Sequence, residues 1–370
     1  MRPTVAEVDL SAIRDNVRAI GEKVAPARVM AVVKANAYGH GAVPVARAAL
    51  EAGAQYLAVA MVEEAVELRE GGVGSPILVF GGVLPGEADL YLEHGLSATV
   101  YTREAFRTLA EAARRRGKEA RVHVKVDTGM GRVGVDWKRA GEFIAQVART
   151  DGVVLEGVYT HLATSDERDK TFAREQLNRF RQVLRELDEL GIRGFLRHAA
   201  NSGAILDLPE SYFDLVRPGV MMYGYYPSPD TSESVPVRPA MTFKTQVIYL
   251  KDVPEGTPVS YGRTYITPRR TRIATLPVGY ADGYNRLLSN QGEVLIRGRR
   301  YPVVGRVCMD QILVDVGMDG DVEVGDEVVL FGRQGEAEVS VASICQKLNT
   351  IPYEVTCWVS KRVPRVYVGT

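Results

Sequence analysis

The chain has 370 residues, 46% hydrophobic and 25% charged, with 46 basic residues balanced by 46 acidic ones. That length suits two domains, and a formal net charge of zero leaves no basic surface for nucleic acid or anionic lipid. The N-terminus shows no apolar signal region, no run approaches a membrane span, and Cys308, Cys345 and Cys357 lack metal-ligand spacing, so the expected compartment is the cytoplasm.

From residue 28 to 219, short apolar runs alternate with longer amphipathic stretches. The runs 29–34, 56–60, 77–80, 98–101, 122–127, 154–161, 195–198 and 214–217 read as strands, and stretches such as 43–52, 102–116, 137–149 and 174–190 read as helices. Thr102 is placed to cap a helix that Gly117 ends, and Gly191 follows another. Eight βα units predict an α/β fold, a (β/α)8 TIM-type barrel over residues 1–230. An open doubly wound sheet would need a Gly-rich first turn, which is absent. The turn-rich segment 225–232 then leads to short strands at 242–250, 272–277, 293–297, 312–316 and 327–331 and a helix at 341–348. These predict a smaller, mostly β C-terminal domain over residues 231–370.

In such barrels the chemistry sits at the C-terminal ends of the strands. Lys34 ends the first run, His161 the sixth and Arg217 the eighth, and Asn201 and Ser202 follow the seventh. Singly, each has an ordinary reading: Lys34 as a snorkelling strand-end lysine, His161 as a satisfied structural histidine, Arg217 as a capping or ion-pairing arginine. Four at one rim argue for a site. A lysine at the mouth of a buried strand is desolvated, which favours the neutral, nucleophilic amine that an aldehyde cofactor needs. In the fifth run Val122, Val124 and Val126 share one face and His123, Lys125 and Asp127 the other, so the polar face points inward. Lys125 near Arg132 is then a costly pair of cations unless something neutralises it. Arg132, in the small-residue loop 128–132, suits a carboxylate. The loops at 200–203 and 218–220, with Ser202 and Gly219, offer a hydroxyl and backbone N–H groups for a phosphate.

These residues resemble the bacterial alanine racemases over essentially the whole chain, in order. The shared segments include 33–41 (VKANAYGHG), 127–132 (DTGMGR), 159–161 (YTH), 200–202 (ANS), 217–224 (RPGVMMYG), 259–262 (VSYG), 307–311 (VCMDQ) and 351–355 (IPYEV). The resemblance implies an isomerase that interconverts L- and D-alanine with pyridoxal 5′-phosphate (PLP), supplies D-alanine for peptidoglycan, and works as a homodimer with composite sites. It implies that Lys34 holds PLP covalently and acts as one base. Tyr261, supplied by the partner subunit, is the second base. His161 tunes Tyr261 and Arg217, and Arg217 faces the pyridine nitrogen. Arg132 and the backbone near Met309 hold the substrate carboxylate. Tyr38, Asn201, Ser202, Gly219, Val220 and Tyr353 bind the cofactor, chiefly its phosphate, and Lys125 is carried as a carbamate. No metal is implied. A racemase of another small amino acid such as serine is the near alternative. A non-catalytic PLP-carrier barrel would lack the second domain and the Tyr261 motif, and a barrel-type PLP decarboxylase would place an acidic residue where Arg217 stands.

Overall fold

In the computed structural model, which describes residues 2–318 and 321–370, all eight expected strands form. They are Arg28–Val32, Tyr56–Val59, Ile77–Val79, Ser97–Val100, Ala120–Asp127, Val153–Tyr159, Leu196–His198 and Leu215–Val216. The first seven pair in parallel, each with the next, and the eighth pairs with the first. Between the Leu196–His198 and Leu215–Val216 strands the ring is carried by single bonds, from Asp214 N to Arg197 O at 3.1 Å and from Arg217 N to Ala200 O at 2.9 Å. Helices cover the outside, so strands such as Ile77–Val79 are buried throughout. That is why they read as unbroken apolar runs rather than as alternation.

The helix signals operate as expected. The Thr102 hydroxyl accepts from Ala105 N at the start of the Arg103–Arg116 helix, and Gly117 takes φ 61° at its end. The strands stop earlier than their apolar runs. The first ends at Val32 and the sixth at Tyr159, so Lys34 and His161 lie just past the ladder, in the exit loops.

The chain divides into two compact units. The barrel unit comprises residues 13–37 and 41–238. The other unit gathers the chain up to residue 12, residues 38–40, and everything from 239 on. Its main sheet runs Arg299–Pro302, Glu293–Ile296, Glu327–Gln334, Met241–Gln246, Val5–Asp9, Arg365–Val368. The first strand of the chain thus lies antiparallel to Met241–Gln246 and parallel to Arg365–Val368. A second sheet holds Tyr249–Val253, Thr271–Leu276 and Ile312–Asp315. A two-stranded hairpin, Pro258–Val259 with Tyr265–Ile266, carries Tyr261 at its turn. Among the described residues no helix is long and apolar enough to cross a membrane, and no group of three or more His, Cys, Asp or Glu could hold a metal ion.

Candidate active site

Lys34 opens an unusual turn. Ala35, Asn36, Ala37 and Tyr38 all take φ near +52°, a left-handed run in which no residue is glycine. Polar contacts hold it. The Ala35 N–H donates to Glu64 Oε1 at 2.5 Å, while Glu64 Oε2 accepts from Ala60 N and Met61 N. The Asn36 side chain accepts from Ala42 N, and its carbonyl accepts from Gly41 N.

Arg217 is 4% exposed. Its Nη1 donates to His198 Nδ1 at 2.8 Å, and Nη2 donates to the carbonyls of Thr160 (2.8 Å) and Ala199 (3.0 Å) and to His161 Nδ1 (3.4 Å). Its guanidinium carbon stands 5.3 Å from the Tyr159 ring centre. Every one of these partners is neutral. Burial lowers its pKa to about 10, so it stays charged at neutral pH. His161 is pushed well below the usual imidazole range, first by burial and then by the positive charge of Arg217, Arg132, Lys125 and Lys34. It is therefore a neutral imidazole. Residues 34, 125, 132, 161 and 217, far apart in the chain, act on one another at this rim.

Lys125 is 3% exposed, and its Nζ donates to Val133 O at 2.6 Å. Burial and then the Arg132 charge pull its pKa down to about 8, with Arg217 adding to the effect. The inward polar face expected for this strand is present: His123 and Lys125 are buried. Asp127 turns to the loop instead, accepting from Gly129 N at 3.0 Å and Gly131 N at 3.1 Å, which shapes the segment that bears Arg132. Arg132 itself is exposed.

Ser202 is buried, and its hydroxyl oxygen accepts from Gly219 N at 3.0 Å. That bond leaves the hydroxyl proton for another acceptor and joins the two loops expected to hold a phosphate. Val220 is fully buried beside them. The Asn201 side chain is used locally: its Oδ1 accepts from Ser165 Oγ and caps Ala204 N, and its Nδ2 donates to Leu162 O. A side chain on Gly203 would meet Ser165 O at 2.8 Å, so glycine is what lets this loop close.

In the other unit, the Tyr38 ring centre lies 5.8 Å from that of Tyr353. Burial, with Tyr353 and Cys357 adding, pushes the Tyr38 phenol far up, so it is a permanent hydrogen-bond donor. Gly39, at φ 84°, would drive a Cβ to 2.3 Å from Thr356 O, which seats this segment on the Pro352–Trp358 helix. Tyr261 is 71% exposed. Met309 is exposed on a loop, and its carbonyl accepts from Ala281 N at 3.1 Å.

Three residues around the site carry no sequence signal strong enough to single them out: His198, Glu156 and Glu64. His198 ends a strand, as Lys34 and His161 nearly do, and that position was its cue.

The family models described as "Alanine racemase, N-terminal domain" and "Alanine racemase, C-terminal domain" match residues 8–227 and 240–367. "Alanine racemase 2" of Caldanaerobacter subterraneus subsp. tengcongensis is 51% identical, over 100% of this chain and 95% of the relative. The crystal structure of alanine racemase from D-cycloserine producing Streptomyces lavendulae is 42% identical with a TM-score of 0.95, covering 100% of this chain and 98% of that one. That of Bartonella henselae, with covalently bound pyridoxal phosphate, is 30% identical with a TM-score of 0.89, covering 100% of both chains. The chain belongs to the alanine racemase family.

Proposed function

We propose that this chain interconverts L- and D-alanine, holds PLP covalently on Lys34, and works as a cytoplasmic homodimer that supplies D-alanine for peptidoglycan. The observation that carries the reading is Arg217. A buried guanidinium whose protein partners are all neutral suits an electron-rich, uncharged acceptor such as a pyridine nitrogen. The donor set fits the rest of PLP as well. Lys34 supplies the amine, the buried Ser202 hydroxyl and the loops at Asn201, Gly219 and Val220 suit the phosphate, and Tyr38 with Tyr353 adds phenol donors.

Bound PLP withdraws electrons from the substrate's Cα–H bond. Arg217 would face the ring nitrogen of that group and, keeping its own proton, would leave that nitrogen unprotonated, which would restrain electron withdrawal and disfavour side reactions such as transamination. Lys34 exchanges the Cα proton on one face and Tyr261, from the partner subunit, exchanges it on the other. Neutral His161 accepts from Arg217 and keeps further positive charge out of the site. Arg132 and the backbone near Met309 hold the substrate carboxylate. Lys125, carried as a carbamate, replaces a repelling cation beside Arg132 with an attracting anion.

The test is a racemisation assay in both directions with alanine, serine and other small amino acids, on wild type and Lys34→Ala. Alanine should be turned over best, and Lys34→Ala should lose both directions. Borohydride reduction of the loaded wild type, followed by peptide mapping, should label Lys34. A pyridoxyl group on another lysine, or a preference for serine, overturns the reading.

A further inference from the structure

Behind Arg217 a line of polar side chains crosses the barrel, and the reaction described above uses none of them. His198 Nδ1 lies 2.8 Å from Arg217 Nη1. His198 Nε2 lies 2.9 Å from His123 Nδ1. His123 Nε2 lies 3.1 Å from Glu156 Oε2. Glu156 also accepts from the Ser97 hydroxyl, and from Arg121 Nη1 at 3.4 Å. Both histidines are fully buried. The Glu156 side chain is 11% exposed and that of Arg121 63%, so the line runs from the protein surface to Arg217.

Donor and acceptor counting leaves one arrangement of protons. Arg217 can only donate, so His198 Nδ1 must be bare. His198 is held well below the usual imidazole range by burial first and then by Arg217, so it is neutral and its single proton sits on Nε2. His123 Nδ1 must then accept, and the proton of His123 sits on Nε2, facing Glu156. Burial alone would raise the Glu156 carboxyl, but hydrogen bonds from His123 and Ser97 and the charge of Arg121 hold it below the usual carboxylate range. It is therefore an acceptor throughout the working range. Reversing any one proton would set two donors against each other somewhere along the line.

Packing fixes the rings as well as the protons. The Tyr159 ring stacks on His198 at 4.7 Å and 6°, and His123 meets His198 edge-on at 5.1 Å and 72°. A Cβ on Gly157 would sit 2.2 Å from His123 Nδ1, so the strand carries glycine where the imidazole crosses it.

We propose that Glu156 is a positioning residue for racemisation: through His123 it fixes the tautomer of His198, and so holds Arg217 in place. The proposal rests on the reading of Arg217 as the residue that faces the cofactor ring. A carboxylate at the far end cannot donate, so it opposes the reversed line from the Glu156 side as Arg217 opposes it from the other; a group that can donate removes that half of the constraint, and a His198 N–H turned toward Arg217 then displaces the guanidinium.

The test uses the full-length, PLP-loaded enzyme labelled with 15N-histidine, together with alanine kinetics. In wild type, both His123 and His198 should be Nε2–H tautomers with bare Nδ1. In Glu156→Gln, whose amide can donate or accept, a second His198 tautomer should appear. Its kcat should fall about ten-fold while KM for alanine stays within about two-fold. Ser97→Ala, a milder change, should move the His123 Nε2 signal in the same sense if Glu156→Gln does not fold. An Nδ1–H tautomer of His198 in wild type overturns the proposal. So does a kcat change without a tautomer change, or a tautomer change without a kcat change. If wild type racemises no amino acid, the functional reading fails, and the wild-type tautomers still judge the line on their own.

Discussion

Lys125 puts a buried amine beside Arg132, and its pKa near 8 decides its chemistry. Only the neutral amine adds CO2, and that form prevails above about 8. At fixed dissolved CO2, a carbamate carbon signal from 13C-labelled bicarbonate should therefore weaken as pH falls through that value, and it should be absent from Lys125→Ala. A chain that gives no such signal at pH 9 carries an unmodified amine at Lys125, which rules the carbamate out. The unmodified amine has a matching stability signature. The folded chain loses this proton near 8 and the unfolded chain near the ordinary lysine value of 10.5. Between those values the unfolded state binds more protons, so stability rises with pH across that window. Carbamylation removes the titration and should flatten the rise.

Two short elements carry Lys34 and Tyr261, the residues proposed above as the two bases; one is built against local preference and the other is held by one buried acid. In the turn after Lys34, each left-handed non-glycine residue costs about 1–2 kcal/mol relative to its right-handed form. Ala35 is exposed, so Ala35→Gly removes strain without removing packing. It should stabilise the protein by about 1 kcal/mol in chemical denaturation, and a less stable variant would show that the turn is unstrained. The hairpin that carries Tyr261 is tied down by Asp315. Its Oδ2 accepts from Tyr265 Oη at 2.9 Å, and its Oδ1 accepts from the Thr271 hydroxyl and from Gly317 N. Burial, then the bond to Asp315, raises Tyr265 to about 12, so this donor survives any ordinary pH. Asp315→Asn should cost about 1–3 kcal/mol and slow racemisation while leaving the pyridoxyl label on Lys34 intact. Loss of that label as well would mean that the whole fold, not the hairpin, had been disturbed. The barrel strands were legible because helices bury both faces, which leaves continuous apolar runs. Their ends were not, since Val33 and Thr160 continue the pattern after the ladder has stopped. His198, Glu156 and Glu64 are not legible in the sequence because their roles come from neighbours across the ladder or in another loop. His123 sits opposite Gly157, and Tyr159 opposite His198. The Val5–Asp9 strand is illegible for a related reason: its partners lie at residues 241–244 and 365–368.

At the scale of the whole molecule, Tyr261 poses the sharpest problem. A base that moves a Cα proton needs the reacting carbon beside it and water kept away, yet Tyr261 is 71% exposed in a single chain. A second copy of the chain supplies both conditions if each site pairs Lys34 of one subunit with Tyr261 of the other. That arrangement can be tested by complementation. Lys34→Ala and Tyr261→Ala should each be nearly inactive as homodimers. In a mixed dimer one site carries both lesions, while the other joins an intact Lys34 to an intact Tyr261. Mixing the two variants under subunit exchange should restore activity, up to about half of wild type per heterodimer if the sites act independently. If both residues instead came from one subunit, every site would carry one lesion and mixing would restore nothing. Failure to recover, with exchange confirmed by differently tagged subunits, would remove the partner subunit from the site and leave Tyr261 to act, if it acts, within its own chain.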